Sequence, residues 1–305
     1  MNPLIEQGPQ LPRGLGASLP IPLHPDASID FPSLEKILHR LGKEGIDFVR
    51  VGTSEVGVRD GESFNGLLSF VREVLPQTTA MVEILPSTET RDVMRHLNVR
   101  HKHEDVHVPA AWLVRPPLSR DVTVAGIVAH FRSIAESTDV PIVAALSGMG
   151  VEASGRRRLI ESLGEHPNVG AVLLTGGQML SWPQHAKLQR WASGETSMLP
   201  MLAMGCDAVI SELAVAFPRK IKEIVDAGAF GSWDLAREKY NQFWPLMQRI
   251  DELPSPAGIK TTLSLLSQAT DTVRLPHTPL TKSEKDGIYA GLAQLDLVQD
   301  LVEPR

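Results

Sequence analysis

The chain has 305 residues, 42% hydrophobic and 22% charged, the proportions of an ordinary globular protein. They exclude a disordered chain, a coiled-coil rod and a collagen-like repeat. Lysine and arginine number 30 against 36 acidic residues, a net charge of -6, and a mildly acidic chain without a basic block is a poor nucleic-acid binder.

No apolar run approaches the roughly 20 residues needed to span a bilayer. Met1 to Pro12 lacks the basic-then-apolar order of a signal peptide, so a cytoplasmic location is expected. The single cysteine, Cys206, excludes an internal disulfide and a structural zinc site, and it reads as inert packing.

In chain order, residues 1–12 carry Pro3, Pro9 and Pro12 and read as an irregular arm. Short apolar runs then alternate with amphipathic ones. The runs Leu15–Leu19, Asp47–Val51, Ala80–Leu85, Ala110–Val114, Pro141–Leu146, Val169–Leu174, a weaker one near Leu188–Ala192, and Ala208–Ser211 predict eight strands. Several are continuously apolar, as parallel strands covered on both faces are. Helical periodicity predicts helices over Phe31–Lys43 (behind the N-cap candidate Asp30), Phe64–Val74, Val122–Ser137, Arg156–Leu163, Gln184–Trp191, Met198–Met204 and Pro218–Asp226. A strand–helix alternation with eight strands, and no Gly-x-Gly-x-x-Gly after the first, points to a (β/α)8 TIM barrel over 13–232. Leu235–Ile250, Ile259–Gln268 and Ser283–Val298 have no strands between them and predict a C-terminal helical appendage over 233–305. It is broken at Pro254, Pro256, Pro276 and Pro279.

Barrel active sites lie where strands end. The second strand ends in Gly52-Thr53-Ser54-Glu55, a turn whose hydroxyls and N–H groups suit a carboxylate, or are satisfied within the turn. Glu83 sits inside an apolar strand with no partner evident: a buried functional acid, or a polar residue at a strand end. His101-Lys102-His103-Glu104-Asp105-Val106-His107 has alternating histidines but reads as a solvated loop, not a metal site. Arg156-Arg157-Arg158 reads as a solvated helix face. There is no His-Glu-x-x-His, Walker A loop or kinase set. No metal or cofactor is expected.

The order Gly14-Leu-Gly-Ala-Ser-Leu-Pro, Ile29-Asp30, Gly52-Thr53-Ser54, Asp139-Val140-Pro141 and Ser193-Gly194-Glu195 resembles the dihydrodipicolinate synthase / N-acetylneuraminate lyase family. Asp271 to Leu280, with Leu275-Pro276-His277-Thr278-Pro279, is similar to its Leu-Pro-x-x-Pro segment before the last helix. The resemblance runs from about Arg13 to Val298. It implies a homotetramer of (β/α)8 barrels, each with a helical C-terminal part. It also implies a Schiff base between a strand-six lysine and pyruvate or another 2-oxo acid, a strand-five tyrosine relaying protons, and a carboxylate-binding turn after strand two. In the synthases a neighbouring subunit donates a further tyrosine.

This chain departs from that pattern. Leu173 falls at the Schiff-base lysine, Ala145 at the strand-five tyrosine, Gly150 at the following arginine, and Leu118 and Ser119 at the paired tyrosines. Every lysine lies outside the predicted strands, and the two tyrosines, Tyr240 and Tyr289, lie in the appendage. Leucine offers no nucleophile, and a Schiff base requires a neutral, desolvated amine. The expectation is a family member without Schiff-base chemistry, binding a small carboxylate or 2-oxo acid at Thr53, Ser54 and Gly194, or serving as a partner subunit. The alternative is a lyase or aldolase-type enzyme with a replaced mechanism that uses Glu55, Glu83 or Glu195. A homodimer or homotetramer is expected, because the resemblance implies an oligomer and the apolar appendage residues Leu263, Leu265 and Leu266 need cover.

Overall fold

The computed structural model describes residues 9–52, 61–84, 86–101, 108–119, 121–146, 149–183 and 186–295, with side chains described outside 61–64 and 98–101. Eight parallel strands close into one barrel: β1 (Gly14–Ser18), β2 (Phe48–Val51), β3 (Thr79–Glu83), β4 (Ala111–Val114), β5 (Ile142–Ala145), β6 (Val169–Thr175), β7 (Gln189–Ser193) and β8 (Ala208–Ser211). Each strand pairs with the next, and β8 returns to β1 with Leu15 opposite Val209.

Side chains alternate across each strand, so one set fills the barrel and the other meets the helices. Phe48, Met81, Leu113, Val143, Leu173, Trp191 and Ile210 form the inner cluster. Phe48 and Trp191 meet at 5.0 Å between ring centroids. Gly16 makes room for this pair: a Cβ there would lie 2.2 Å from the Phe48 ring.

The helices between strands are α1 (Phe31–Lys43), α2 (Gly61–Val74), α3 (Thr90–His101), α4 (Val124–Glu136), α5 (Ala153–Leu163) and α6 (Met198–Ala203). The short α7 (Leu213–Ala216) and α8 (Pro218–Ala229) follow β8. α1 starts as its sequence requires. The Asp30 carboxylate accepts the Ser33 N–H at 3.0 Å, and Leu34, Ile37, Leu38 and Leu41 are buried on one face. α9 (Trp233–Glu252), α10 (Ala257–Leu265) and α11 (Lys282–Ala293) complete the described residues, the last behind a Thr281–Glu284 capping box. Among the described residues no helix is long and apolar enough to cross a membrane.

Three expectations are corrected. Of the expected helix Gln184–Trp191, the described residues 186–191 are not helical. The link after β6 is a 3-10 turn over Gly176–Ser181, and Gln189 to Trp191 already belong to β7, where Trp191 enters the barrel. Its apolar spacing is ambiguous over so short a run, and the central barrel position decides. Arg156 is not a solvated residue: its guanidinium donates to Ser181 Oγ at 2.9 Å and to the Val151 carbonyl at 2.6 Å, while Arg157 and Arg158 are exposed. Leu263 and Leu265 need no second subunit, because they are buried within the single chain, with Leu266 packed partly buried against the same core.

Candidate functional site

At the C-terminal ends of the strands the inward-facing layer changes from apolar to polar. Two residues beyond Phe48 stands Arg50, beyond Met81 Glu83, beyond Leu113 Arg115, beyond Trp191 Ser193, and beyond Ile210 Glu212. Strand periodicity places each above its apolar predecessor. Of these, Arg50, Arg115, Ser193 and Glu212 line a cavity of about 240 Å³ whose floor includes Leu173 and Ile210. The end of α9 and the segment after it close the side through Ile250, Asp251, Leu253 and Ser255.

Glu83 has two partners that the sequence left unseen. Arg115 Nε donates to its Oε1 at 2.6 Å, and Arg50 Nε lies 3.4 Å from its Oε2 in an ion pair. The Glu83 carboxylate is nearly inaccessible, and the Arg50 and Arg115 side chains retain 12% and 36% exposure. One buried carboxylate therefore sits between two guanidiniums, leaving local positive charge toward the cavity. Arg50 Nε is buried and makes no hydrogen bond beyond this ion pair with Glu83.

His130 of α4 holds the Arg115 backbone. Its Nε2 lies 3.1 Å from the Arg115 carbonyl, which can only accept, so Nε2 carries a proton. Nδ1 lies 2.9 Å from the Thr90 hydroxyl and accepts from it when the ring is neutral. Burial holds the imidazole pKa below its ordinary value.

The acidic side of the cavity is tied down by internal donors. Glu195 accepts from Ser211 Oγ at 2.8 Å and from the Glu212 and Leu213 N–H groups at 2.6 and 3.2 Å. Burial pushes its carboxyl up to about 8, with Asp251 and Glu212 adding to the rise. Asp251 reaches back from α9 to accept the N–H groups of Glu195 and Thr196 at 2.9 and 2.8 Å. Tyr240 donates to the Thr196 carbonyl. Burial raises Glu212 too, and Ser255 donates to it. These carboxyl groups clamp α9 to the β7 and β8 ends. Among the described residues no group of three or more His, Cys, Asp or Glu side chains is arranged to hold a metal ion.

Of the residues singled out in the sequence, Leu173, Gly194 and Glu195 line the cavity. Thr53, Ser54 and Glu55 lie outside the described residues. Gly52, which leads into them, is in close contact with β3: a Cβ there would meet the Glu83 carbonyl at 2.8 Å, and its φ is +97°. Ala145 is buried within the inner cluster below the cavity, and Gly150 lies in a neighbouring cleft with Leu118 and Ser119. His101 ends α3, and 102–107 are outside the described residues. Cys206 is half-buried, its thiol pushed up to about 12 by burial, in keeping with an inert role. Among the described residues the cavity lining contains no lysine. Lys260 is buried, but in α10, where its Nζ donates to the Thr272 carbonyl at 2.7 Å. Sequence reasoning missed Arg50 and the Arg115–Glu83 pair. The signal was the charge breaking period-two apolarity at the end of β2 and again at the end of β3.

A closed (β/α)8 barrel with a small polar cavity at the C-terminal strand ends defines the class of single-barrel proteins whose ligand site is built by strand-end residues. The chain belongs to the dihydrodipicolinate synthetase family, whose profile matches residues 12–295. It is 28% identical over 306 residues to a 4-hydroxy-tetrahydrodipicolinate synthase of Chlorobium phaeovibrioides, covering 94% of this chain and 98% of that one. Over 289 residues it is 25% identical to the enzyme of the same name from Desulforamulus reducens, covering 91% and 95%. Its fold is similar to that of dihydrodipicolinate synthase from Thermotoga maritima, with a TM-score of 0.82 at 20% identity over 93% of this chain and 98% of that one.

Proposed function

We propose that this family member binds a small carboxylate or 2-oxo acid non-covalently at the barrel mouth and forms no Schiff base. The observation that carries the reading is the cavity itself: two arginines share one carboxylate above a leucine floor, and among the described residues no amine lines it. The resemblance puts Leu173 where the Schiff-base lysine belongs. An imine needs an amine within the pocket. The Arg50 and Arg115 guanidiniums supply charge-assisted donors for a carboxylate, and Gly194 lets a ligand approach the β7 end closely. The turn at Thr53 and Ser54 belongs to the same reading. So does assembly into a dimer or tetramer, which light scattering checks.

The test is incubation with pyruvate and borohydride, followed by intact-mass spectrometry. The expected result is an unchanged mass. A stoichiometric adduct on one lysine overturns the reading. Calorimetric titration of pyruvate into the protein and into Arg50→Leu checks the site, with at least a tenfold loss of affinity expected.

A second reading is lyase or aldolase-type chemistry by a replaced mechanism. It draws on Glu195, whose pKa of about 8 keeps a proton available at neutral pH beside the cavity. Release of pyruvate from candidate aldol substrates, lost in Glu195→Gln, would favour it.

A further inference from the structure

Beside the barrel-mouth cavity lies a second compartment of about 460 Å³ between the chain segments that follow β3, β4 and β5. Its walls expose polar and apolar surface in similar amounts, the apolar part coming from Pro117, Leu118 and Val122 on one side and Met149 and Val151 on the other. Leu118 is 63% exposed, although large apolar side chains are usually covered. Arg115 lines both compartments.

We propose that the two compartments form one ligand site with Arg115 at their junction, and that its ligand is a 2-oxo or related monocarboxylic acid carrying an aryl or branched alkyl arm. The inference rests on the carboxylate-binding reading above and adds the nature of the rest of the ligand. The carboxylate lies against Arg50 and Arg115, and the arm extends over Pro117, Leu118, Met149 and Val151.

Three observations favour this occupant. Arg115 is fixed at the junction by Glu83 through its side chain and by His130 through its backbone, so charge and apolar surface hold a constant relation. The first cavity alone falls below the roughly 300–1,000 Å³ of ordinary small-molecule sites, and the two together fall within that range. The apolar wall also begins immediately beside a cationic group, the pattern that matches an amphipathic acid rather than a fully polar one.

The probes are phenylpyruvate and pyruvate, titrated calorimetrically into the full chain. Phenylpyruvate is expected to bind at least tenfold tighter. A tenfold gain is about 1.4 kcal/mol and needs only about 55 Å² of apolar area removed from water at ~25 cal/mol/Å², less than a phenyl ring offers. Leu118→Asp changes an exposed position and is expected to reduce the phenylpyruvate-to-pyruvate affinity ratio at least fivefold. Val151→Trp, which fills the compartment, is a second variant with the same expected outcome.

Equal affinities for the two acids, both weakened by Arg50→Leu, overturn the apolar arm while leaving the carboxylate site standing. No binding of either acid overturns both. If Leu118→Asp dissociates an oligomer without altering the ratio, the compartment is an interface between copies of this chain, and the proposal fails.

Discussion

Glu195→Gln offers a sensitive test of how the barrel mouth is held together. The Glu195 carboxyl is buried, and its pKa rises from 4.5 to about 8. Because the folded-state value is raised, the folded protein retains a proton that the unfolded chain has lost. Its contribution to stability is therefore full below 4.5 and is lost as pH rises toward 8. Each pH unit in that window costs about 1.4 kcal/mol. Glutamine keeps the geometry: its carbonyl can accept the Glu212 and Leu213 N–H groups, and its amide can donate to Ser211 Oγ. It does not titrate. The variant should match the parent near pH 4, exceed it by about 3 kcal/mol at pH 7, and level off at about 5 kcal/mol above pH 8. Urea denaturation of both proteins across this range reads the difference directly, and the difference removes the titration of Glu212 and other shared groups to first order. A pH-independent gap would refute the assignment of a buried, protonated Glu195. So would a variant less stable at every pH.

The remaining predictions concern the groups around that carboxyl. Glu83→Ala leaves the Arg50 and Arg115 guanidiniums without their shared anion, and should cost about 2–4 kcal/mol, below the fully buried case because Arg115 is partly exposed. A urea-midpoint change equivalent to under 1 kcal/mol would remove the ion triad from the account. Trp191→Ala empties the centre of the barrel beside Phe48 and should cost about 3–5 kcal/mol, measured the same way. His130 acts opposite in sign to Glu195. Its folded pKa is depressed from 6.5, so its stabilising contribution is present above 6.5 and is lost as pH falls through the folded value. An NMR titration of its ring should place the midpoint below 6.5, and a midpoint above 6.5 would contradict the buried Thr90–His130–Arg115 arrangement.

The architecture was legible in the sequence alone. Runs such as Val169–Leu174 are apolar on both faces because parallel barrel strands are covered on both, and α1 was legible to the residue because Asp30 caps it and its apolar stripe has helical period. The order of motifs also pointed to the family, which the match over residues 12–295 bears out. Local pattern failed at Gln184–Trp191, where a short run fits either period and only closure of the barrel draws Trp191 inside.

The site was legible only in part. Gly194 follows β7, and strand-end logic put it at the mouth; Leu173 came from alignment to the family. Glu83 was seen as a charge in an apolar strand, but its meaning lay in Arg50 and Arg115, which are distant in sequence and meet it only when neighbouring strands align. The same holds for Asp251, which joins Glu195 from 56 residues away because α9 packs across the barrel end. Periodicity fixes which way a side chain faces along its own strand. Which charges meet is decided by register between strands and by helix packing, and these depend on contacts across the whole chain.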